Sequence, residues 1–196
     1  DAWGQAFWSM TYPDFDAVEL PAPTMTVHNP SLELAHRRFA SRQVCEGLAV
    51  QRDVLAERSL GVPTFTNLYM GDLDIDARAV HRPNGIGAID SYPHGVAGPD
   101  EVAFNLDLAR GTALQQGQGV EALGGRAWVV EQQPGPVNWT GDNPAVPPGQ
   151  VGEWIADAAR QGIDTLLVFR WRMARAGQEQ HHAALLTHDR REAPAY

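Results

Sequence analysis

With 196 residues, 43% of them apolar, the chain can bury one core of ordinary domain size. Its formal charge of −9 and isoelectric point near 5.1 repel phosphate backbones and anionic headgroups, which argues against nucleic acid or a membrane surface as partner. The longest apolar runs, AWVV before Glu131 and TLLVF after Asp164, fall far short of the roughly 20 residues a membrane helix needs.

The opening DAWGQAFW has no initiating Met and no basic, apolar leader pattern, so the gene product is expected to begin upstream. Cys45 has no second cysteine for a disulfide or a cysteine-based metal site, which points to a reducing compartment, the cytoplasm. Asn29-Pro30 places a capping side chain before a proline suited to a first helical turn, and a helix is expected from there to about Arg58. Its stripe is Val44, Leu48, Gln51 and Leu55, apolar except at Gln51. Gly61-Val62-Pro63 ends it, and Thr64 to Met70 reads as a strand. A second strand, Ile86 to Tyr92, is opened by the Asn84-Gly85 turn and closed by Pro93. A helix from about Pro99 to Ala113 comes next, then a third strand, Arg126 to Glu131, running into the turn Pro134-Gly135-Pro136. Val151, Trp154, Ile155 and Ala158 recur at helical spacing and form one apolar face stopped by Gly162. Thr165 to Trp171 is the fourth strand, and Gln178 to Leu186 is a candidate terminal helix.

This alternation is the α/β signature, and four such units make half of a (β/α)8 barrel. Polar and aromatic residues stand where each strand ends: Asn67, then Asp90 and Tyr92, then Glu131, then Arg170 and Trp171. In such barrels that rim carries the chemistry, so one shared site is expected there. Leu68, Ile89, Val129 and Leu167 are the candidates for the barrel interior.

The strongest local pattern is VVEQQPGPVNW, Val129 to Trp139. A buried strand delivers the Glu131 carboxylate to a defined place, and the proline-rich turn limits motion of the adjoining loop. A carboxylate fixed in this way suits a nucleophile, for instance one that traps the oxocarbenium-like centre of a glycoside. A strand-end glutamate that is merely solvated or ion-paired is the competing reading.

The chain resembles the family 42 glycoside hydrolases, β-galactosidases with a TIM-barrel catalytic domain. The resemblance runs through FWSMTYPDFDAVELP (Phe7 to Pro21), NPSLELAHRRFAS (Asn29 to Ser41), TNLYMG (Thr66 to Gly71), IDSYPHG (Ile89 to Gly95), EQQPGPVNW (Glu131 to Trp139), FRWR (Phe169 to Arg172) and QEQHHAALL (Gln178 to Leu186). It implies that Glu131 is the catalytic nucleophile of a retaining double displacement and that Trp139 stacks on the substrate. By the same resemblance, Trp8 and Phe169 are aromatic walls of a galactose pocket, and Glu179 and His182 hydrogen-bond sugar hydroxyls; Asp90 and Tyr92 join them as substrate-binding candidates. Aromatic faces suit the C–H patch of galactose, and a carboxylate accepts from two hydroxyls.

The departures from the family pattern also carry expectations. The family's acid/base glutamate lies in an Asn-Glu pair, and this sequence has no Asn-Glu dipeptide. Residues 1 to 196 are therefore expected to form about the last four strand–helix units of the barrel, with the first half and further C-terminal domains, one of them tied to trimer formation, lying outside. No metal and no cofactor are expected, because Cys45 cannot replace the family's zinc cysteines. Gly47 and His181 stand where bulkier residues are expected.

Other constellations are weaker. Glu33 with His36 and Glu179 with His182 have di-iron spacing, but that fold is all-helical, against the strands and 14 prolines here. The acidic run from Asp72 lacks calcium-loop chemistry, with Ala77 and Pro83 where glycine and glutamate are needed. His181, His182 and His188 lack a companion ligand set. Two functions result: part of an enzyme hydrolysing terminal β-D-galactosides, its natural substrate being lactose, a galactan oligosaccharide or an arabinoside, or a galactoside-binding or interaction protein without turnover.

Overall fold

The computed structural model describes residues 11–22, 25–58, 61–70, 74–93, 99–114, 126–139, 141 and 143–193. Trp8 lies outside them, as do residues 71–73 of the acidic run. The chain divides into two compact units, Asp1–Val62 with Leu73–Asp76, and Pro63–Asp72 with Ala77–Tyr196.

The first unit is dominated by helix α1, Pro30–Arg58. Asn29 starts it as the sequence predicts: Oδ1 accepts from the amides of Ser31 and Leu32 at 3.0 and 3.2 Å, pairing two of the orphan donors of a first turn. Glu33 accepts from Arg37 one turn on at 2.7 Å, and Arg37 also reaches Asp74 at 3.2 Å. The expected apolar stripe is not buried. Val44 and Leu55 are 41% and 46% exposed, whereas Leu32 and Ser41 are the helix residues that are buried. Leu34, Phe39, Val50 and Val54 are exposed as well, so apolar side chains are spread around the helix rather than gathered on one face.

The second unit is an α/β layer. Short helix α2 (Ala77–His81) leads through a 3-10 turn to Gly85, whose φ of 65° is the left-handed conformation the turn needs. Strands β1 (Ile86–Ser91), β2 (Arg126–Gln132) and β3 (Thr165–Val168) pair in parallel in that order. Helices α3 (Pro99–Ala113) and α4 (Gln150–Arg160) pack on one face. That core joins Ile89, Ala127 and Val129 of the strands to Val102, Leu106 and Ala109 of α3 and Val151, Trp154 and Ala158 of α4. Ile89 and Val129 thus belong to the helix-side core rather than to a barrel interior, and Leu167, one residue out of phase with the packed Leu166, is 49% exposed. Gly87 marks the tightest approach: a Cβ there would stand 2.3 Å from the Ala109 carbonyl oxygen.

Two expected elements come out differently. The strand expected over Thr64 to Met70 is reduced to one parallel bridge from Leu68 to Ile89, in which Leu68 N–H donates to Ala88 O and Asp90 N–H to Leu68 O. Phe65, Asn67 and Tyr69 on either side of it are exposed, so the ladder gains little from continuing. The segment Gln178 to Leu186 is not a helix but turns and bridges. Its amides go elsewhere: Ala183 N–H donates to Pro136 O, Leu185 to Arg170 O and Leu186 to Trp171 O, which leaves no helical ladder. β3 also ends at Val168, three residues before the expected Trp171, so Phe169, Arg170 and Trp171 lie on the connection beyond it.

Candidate active site

The site forms where β1, β2 and β3 end. In β1 and β2, Ile86 to Ile89 pair residue by residue with Arg126 to Val129, and then Asp90 pairs with Glu131 rather than with Val130. This bulge re-phases the strand. Unbroken alternation from the helix-facing Val129 would give Glu131 the same face; the register change sets it beside Asp90, opposite in phase to the packed Ile89.

The Asp90 carboxylate is held by Asn67, whose amide donates to both oxygens at 3.1 and 2.9 Å. Burial raises the Asp90 carboxyl above the usual range; the Asn67 hydrogen bond opposes this and the neighbouring Glu131 charge adds to it. Tyr92 comes just after β1, is buried, and its hydroxyl donates to Glu131 Oε2 at 2.9 Å. Burial, then the hydrogen bond to Glu131, then the charges of Glu131, Asp90 and Glu179 keep this phenol strongly protonated. Glu131 Oε1 has no hydrogen bond among the described residues. One oxygen is thereby held by a donor that keeps its proton.

Beyond β2 the chain is braced from within. Gln133 N–H donates to Ser91 O, and Gln133 Nε2 to Gly135 O at 2.7 Å, which holds the proline-rich turn. Asn138 Nδ2 donates to Gln178 O at 2.6 Å, and Trp139 N–H to Asn143 Oδ1 at 3.1 Å. Trp139 is 51% exposed, with its ring 4.5 Å from Tyr92. Phe169 is fixed at the end of β3 by its N–H donating to Gln132 O at 3.0 Å, and its peptide bond to Arg170 is cis.

His182 stands among these rings, 6.1 Å from Tyr92, 5.5 Å from Trp139 and 6.0 Å from Phe169 between centroids. It is fully buried, and neither ring nitrogen has a hydrogen-bond partner among the described residues. A buried imidazole without partners is costly and points to a polar ligand. Burial lowers its pKa, with the Glu179 charge opposing, the Arg170 charge reinforcing and the Glu131 charge opposing the shift, which favours the neutral ring. Arg170 grips Glu179 twice, Nη1 to Oε2 at 3.0 Å and Nη2 to the main-chain oxygen at 2.9 Å.

Asn67, Asp90, Tyr92, Glu131, Trp139, Phe169, Glu179 and His182 thus lie in one connected network. Trp171, expected at the same rim, is 70% exposed, and its carbonyl is engaged by Leu186 N–H. Trp8 lies outside the described residues. Arg170 is visible in the sequence as a strand-end cation, but its hold on Glu179 is not, because it depends on a turn that the helical reading of Gln178 to Leu186 removes.

Comparison with known proteins gives this geometry a setting. A family model of the family 42 glycoside hydrolases, described as beta-galactosidase, matches residues 1–196. The beta-galactosidase BgaA of a Thermus species is 39% identical over 203 aligned residues, covering 94% of this chain and 30% of that protein. The beta-galactosidase BgaH of Haloferax lucentense is 34% identical, covering 96% of this chain and 29% of its own length. Among solved structures, the beta-galactosidase of the psychrophilic Marinomonas ef1 superimposes with a TM-score of 0.84 at 39% identity, covering 99% of this chain and 31% of that one. That of the haloarchaeon Halorubrum lacusprofundi gives 0.83 at 34% identity, over 99% of this chain and 30% of its own. The chain spans about three-tenths of the length of these relatives.

Proposed function

The chain belongs to the family 42 β-galactosidases, and from that membership we propose that its residues form the nucleophile side of a retaining galactosidase site, with Glu131 as the nucleophile. In this reading Glu131 attacks the anomeric carbon of a terminal β-D-galactoside as the bond to the leaving oxygen breaks, and a covalent galactosyl ester forms. Water then displaces Glu131 with a second inversion, so that the anomeric configuration is retained. Protonation of the leaving oxygen and deprotonation of the water need a second carboxylate. The family's Asn-Glu pair is absent from this sequence, and we assign that role to a part of the polypeptide beyond these residues, together with the first half of the barrel and further domains.

The observation that supports the reading best is the Tyr92–Glu131 hydrogen bond within the aromatic enclosure of Trp139, Phe169 and His182. Tyr92 holds one carboxylate oxygen and leaves the other for the sugar. Trp139 and Phe169 offer faces to the C–H side of galactose, His182 and Glu179 hydrogen-bond its hydroxyls, and Asp90, pinned by Asn67, borders the nucleophile. Trp8 is assigned the remaining aromatic wall by resemblance alone. The partner is a galactoside, and a homo-oligomer, a trimer by family resemblance, is the proposed assembly. No described helix is long and apolar enough to cross a membrane.

The test uses the complete polypeptide. Glu131→Gln keeps shape but removes the nucleophilic charge, so turnover falls by several powers of ten (roughly 10³ or more) while galactose binding survives. A 2-deoxy-2-fluoro-galactoside with a good leaving group labels the peptide carrying Glu131. Near-normal turnover in Glu131→Gln, or a label elsewhere, removes Glu131 from the role. Binding without any turnover by the complete polypeptide selects the alternative, a galactoside-binding protein.

A further inference from the structure

We propose that Arg170 is a positioning residue for sugar recognition, setting the Glu179–His182 turn against the Phe169 wall through two hydrogen bonds to Glu179. The proposal rests on the galactoside reading above and deepens it. Three observations converge on the guanidinium. Its Nη1 donates to Glu179 Oε2 at 3.0 Å, so one oxygen of that carboxylate has a fixed direction. Its Nη2 donates to the Glu179 carbonyl oxygen at 2.9 Å, and the same carbonyl accepts from His182 N–H at 3.0 Å. Its Cζ lies 5.3 Å from the centre of the Phe169 ring.

One planar group therefore ties together three of the side chains assigned to the sugar. Glu179 is oriented directly, His182 through the shared carbonyl, and Phe169 by the cation over its ring. The Arg170 main chain adds a fourth tie, since its own carbonyl accepts from Leu185 N–H at 2.9 Å. Charge matters as much as shape. Glu131, Asp90 and Glu179 all act electrostatically on the Tyr92 phenol, and Arg170 is the cation paired with one of them. Without it, Glu179 would be drawn toward solvent, since its side chain is 46% exposed, and the carbonyl that accepts from His182 N–H would lose its second donor.

Lysine does not substitute. It keeps the positive charge but presents it at a point, and it cannot span a carboxylate and a carbonyl of the same residue with a rigid fork. The expected signature is a loss of substrate affinity rather than of chemistry, because Arg170 makes no contact with Glu131 among the described hydrogen bonds.

The experiment measures nitrophenyl β-galactoside hydrolysis by the complete polypeptide for wild type, Arg170→Lys, Glu179→Gln and the double variant, with a thermal melt of each. Arg170→Lys is expected to raise KM about 10-fold while kcat stays within about 3-fold. The double variant is expected to raise KM much less than the product of the two single effects, since both act through Glu179. An unchanged KM in Arg170→Lys, a fall confined to kcat, or full multiplicativity in the double variant overturns the proposal. Arg170→Lys lowering the melting temperature with KM unmoved overturns it too, in favour of a structural role. A wild type that neither binds nor cleaves galactosides overturns the underlying reading itself, and is distinguished by failing before any variant is compared.

Discussion

The Tyr92 hydroxyl donates to Glu131 Oε2 at 2.9 Å, linking the residue after β1 to the penultimate residue of β2. A carboxylate that is nucleophile in one step and leaving group in the next gains from a donor aimed at the oxygen where charge returns. Tyr92→Phe removes that donor and little else. If Glu131 is the nucleophile as proposed, it is expected to lower kcat/KM of the complete polypeptide about 10- to 100-fold, mostly in kcat. Steady-state kinetics on nitrophenyl galactoside checks it, and a weaker galactose affinity with kcat unchanged would assign Tyr92 to binding alone.

Gly87→Ala tests the packing that carries the site. The added Cβ would meet the Ala109 carbonyl oxygen at 2.3 Å and its carbon at 2.6 Å, and both are backbone atoms of α3 that no rotamer change can move. Overpacking of this kind costs about 1–3 kcal/mol, and this case belongs at the upper end. Urea denaturation is expected to show a lower midpoint with an unchanged slope. A midpoint within error of wild type would mean that α3 can slide off β1.

His81 predicts a pH dependence. It is 1% exposed, and its Nδ1 lies 2.7 Å from Thr112 Oγ1, which itself donates to Ala109 O, so Nδ1 carries the proton. Burial lowers its pKa below the ordinary 6.5, with a backbone contact at Ala88 opposing. Well above pH 6.5 the ring is neutral in both folded and unfolded chains. As pH falls below 6.5 the unfolded chain takes up a proton that the folded chain refuses, so stability drops until the lower folded pKa is passed. His182 acts in the same direction. Melting temperatures at about pH 7.5 and about pH 5.5 are expected to differ less in His81→Gln than in wild type. An equal difference in both would clear His81 of the effect.

The 196 residues expressed alone are expected to self-associate and to hydrolyse nitrophenyl galactoside no faster than buffer. Leu167 and Trp171 are 49% and 70% exposed beside the edge strand β3, and apolar side chains next to a pairable edge favour association. Sedimentation and an activity assay check both halves. A monodisperse monomer with turnover would show that no second carboxylate from elsewhere is required.

Much of this is legible in the sequence. Helix α1 starts where Asn29 and Pro30 place it, because caps and prolines act locally, and Pro99–Ala113 has the limits expected. The strand ends that meet at the site were legible too, through Asp90, Tyr92 and Glu131. The failures share one cause. Thr64 to Met70 has strand-forming residues but shares a bridge at Leu68 alone, and Gln178 to Leu186 has helical composition but spends its amides on Pro136, Arg170 and Trp171. Neither outcome can be read from neighbours in sequence. The Arg170 fork was hidden for the same reason, since one of its two acceptors is a main-chain oxygen nine residues away.

The bulge in β2 divides that strand into two stretches under separate constraints. Between Val129 and Gln132 both neighbouring strands see one residue more on β2 than on their own side, and against β1 that extra residue is Val130. Below it, size is dictated by α3 and α4, and an enlarged Ala127 or Val129 must be absorbed by the helices. Above it, the counting starts afresh from Asp90 and Ser91. Repacking the lower stretch therefore need not rotate the carboxylate, and the stability of this layer and the aim of Glu131 are open to change independently, by mutations only a few residues apart.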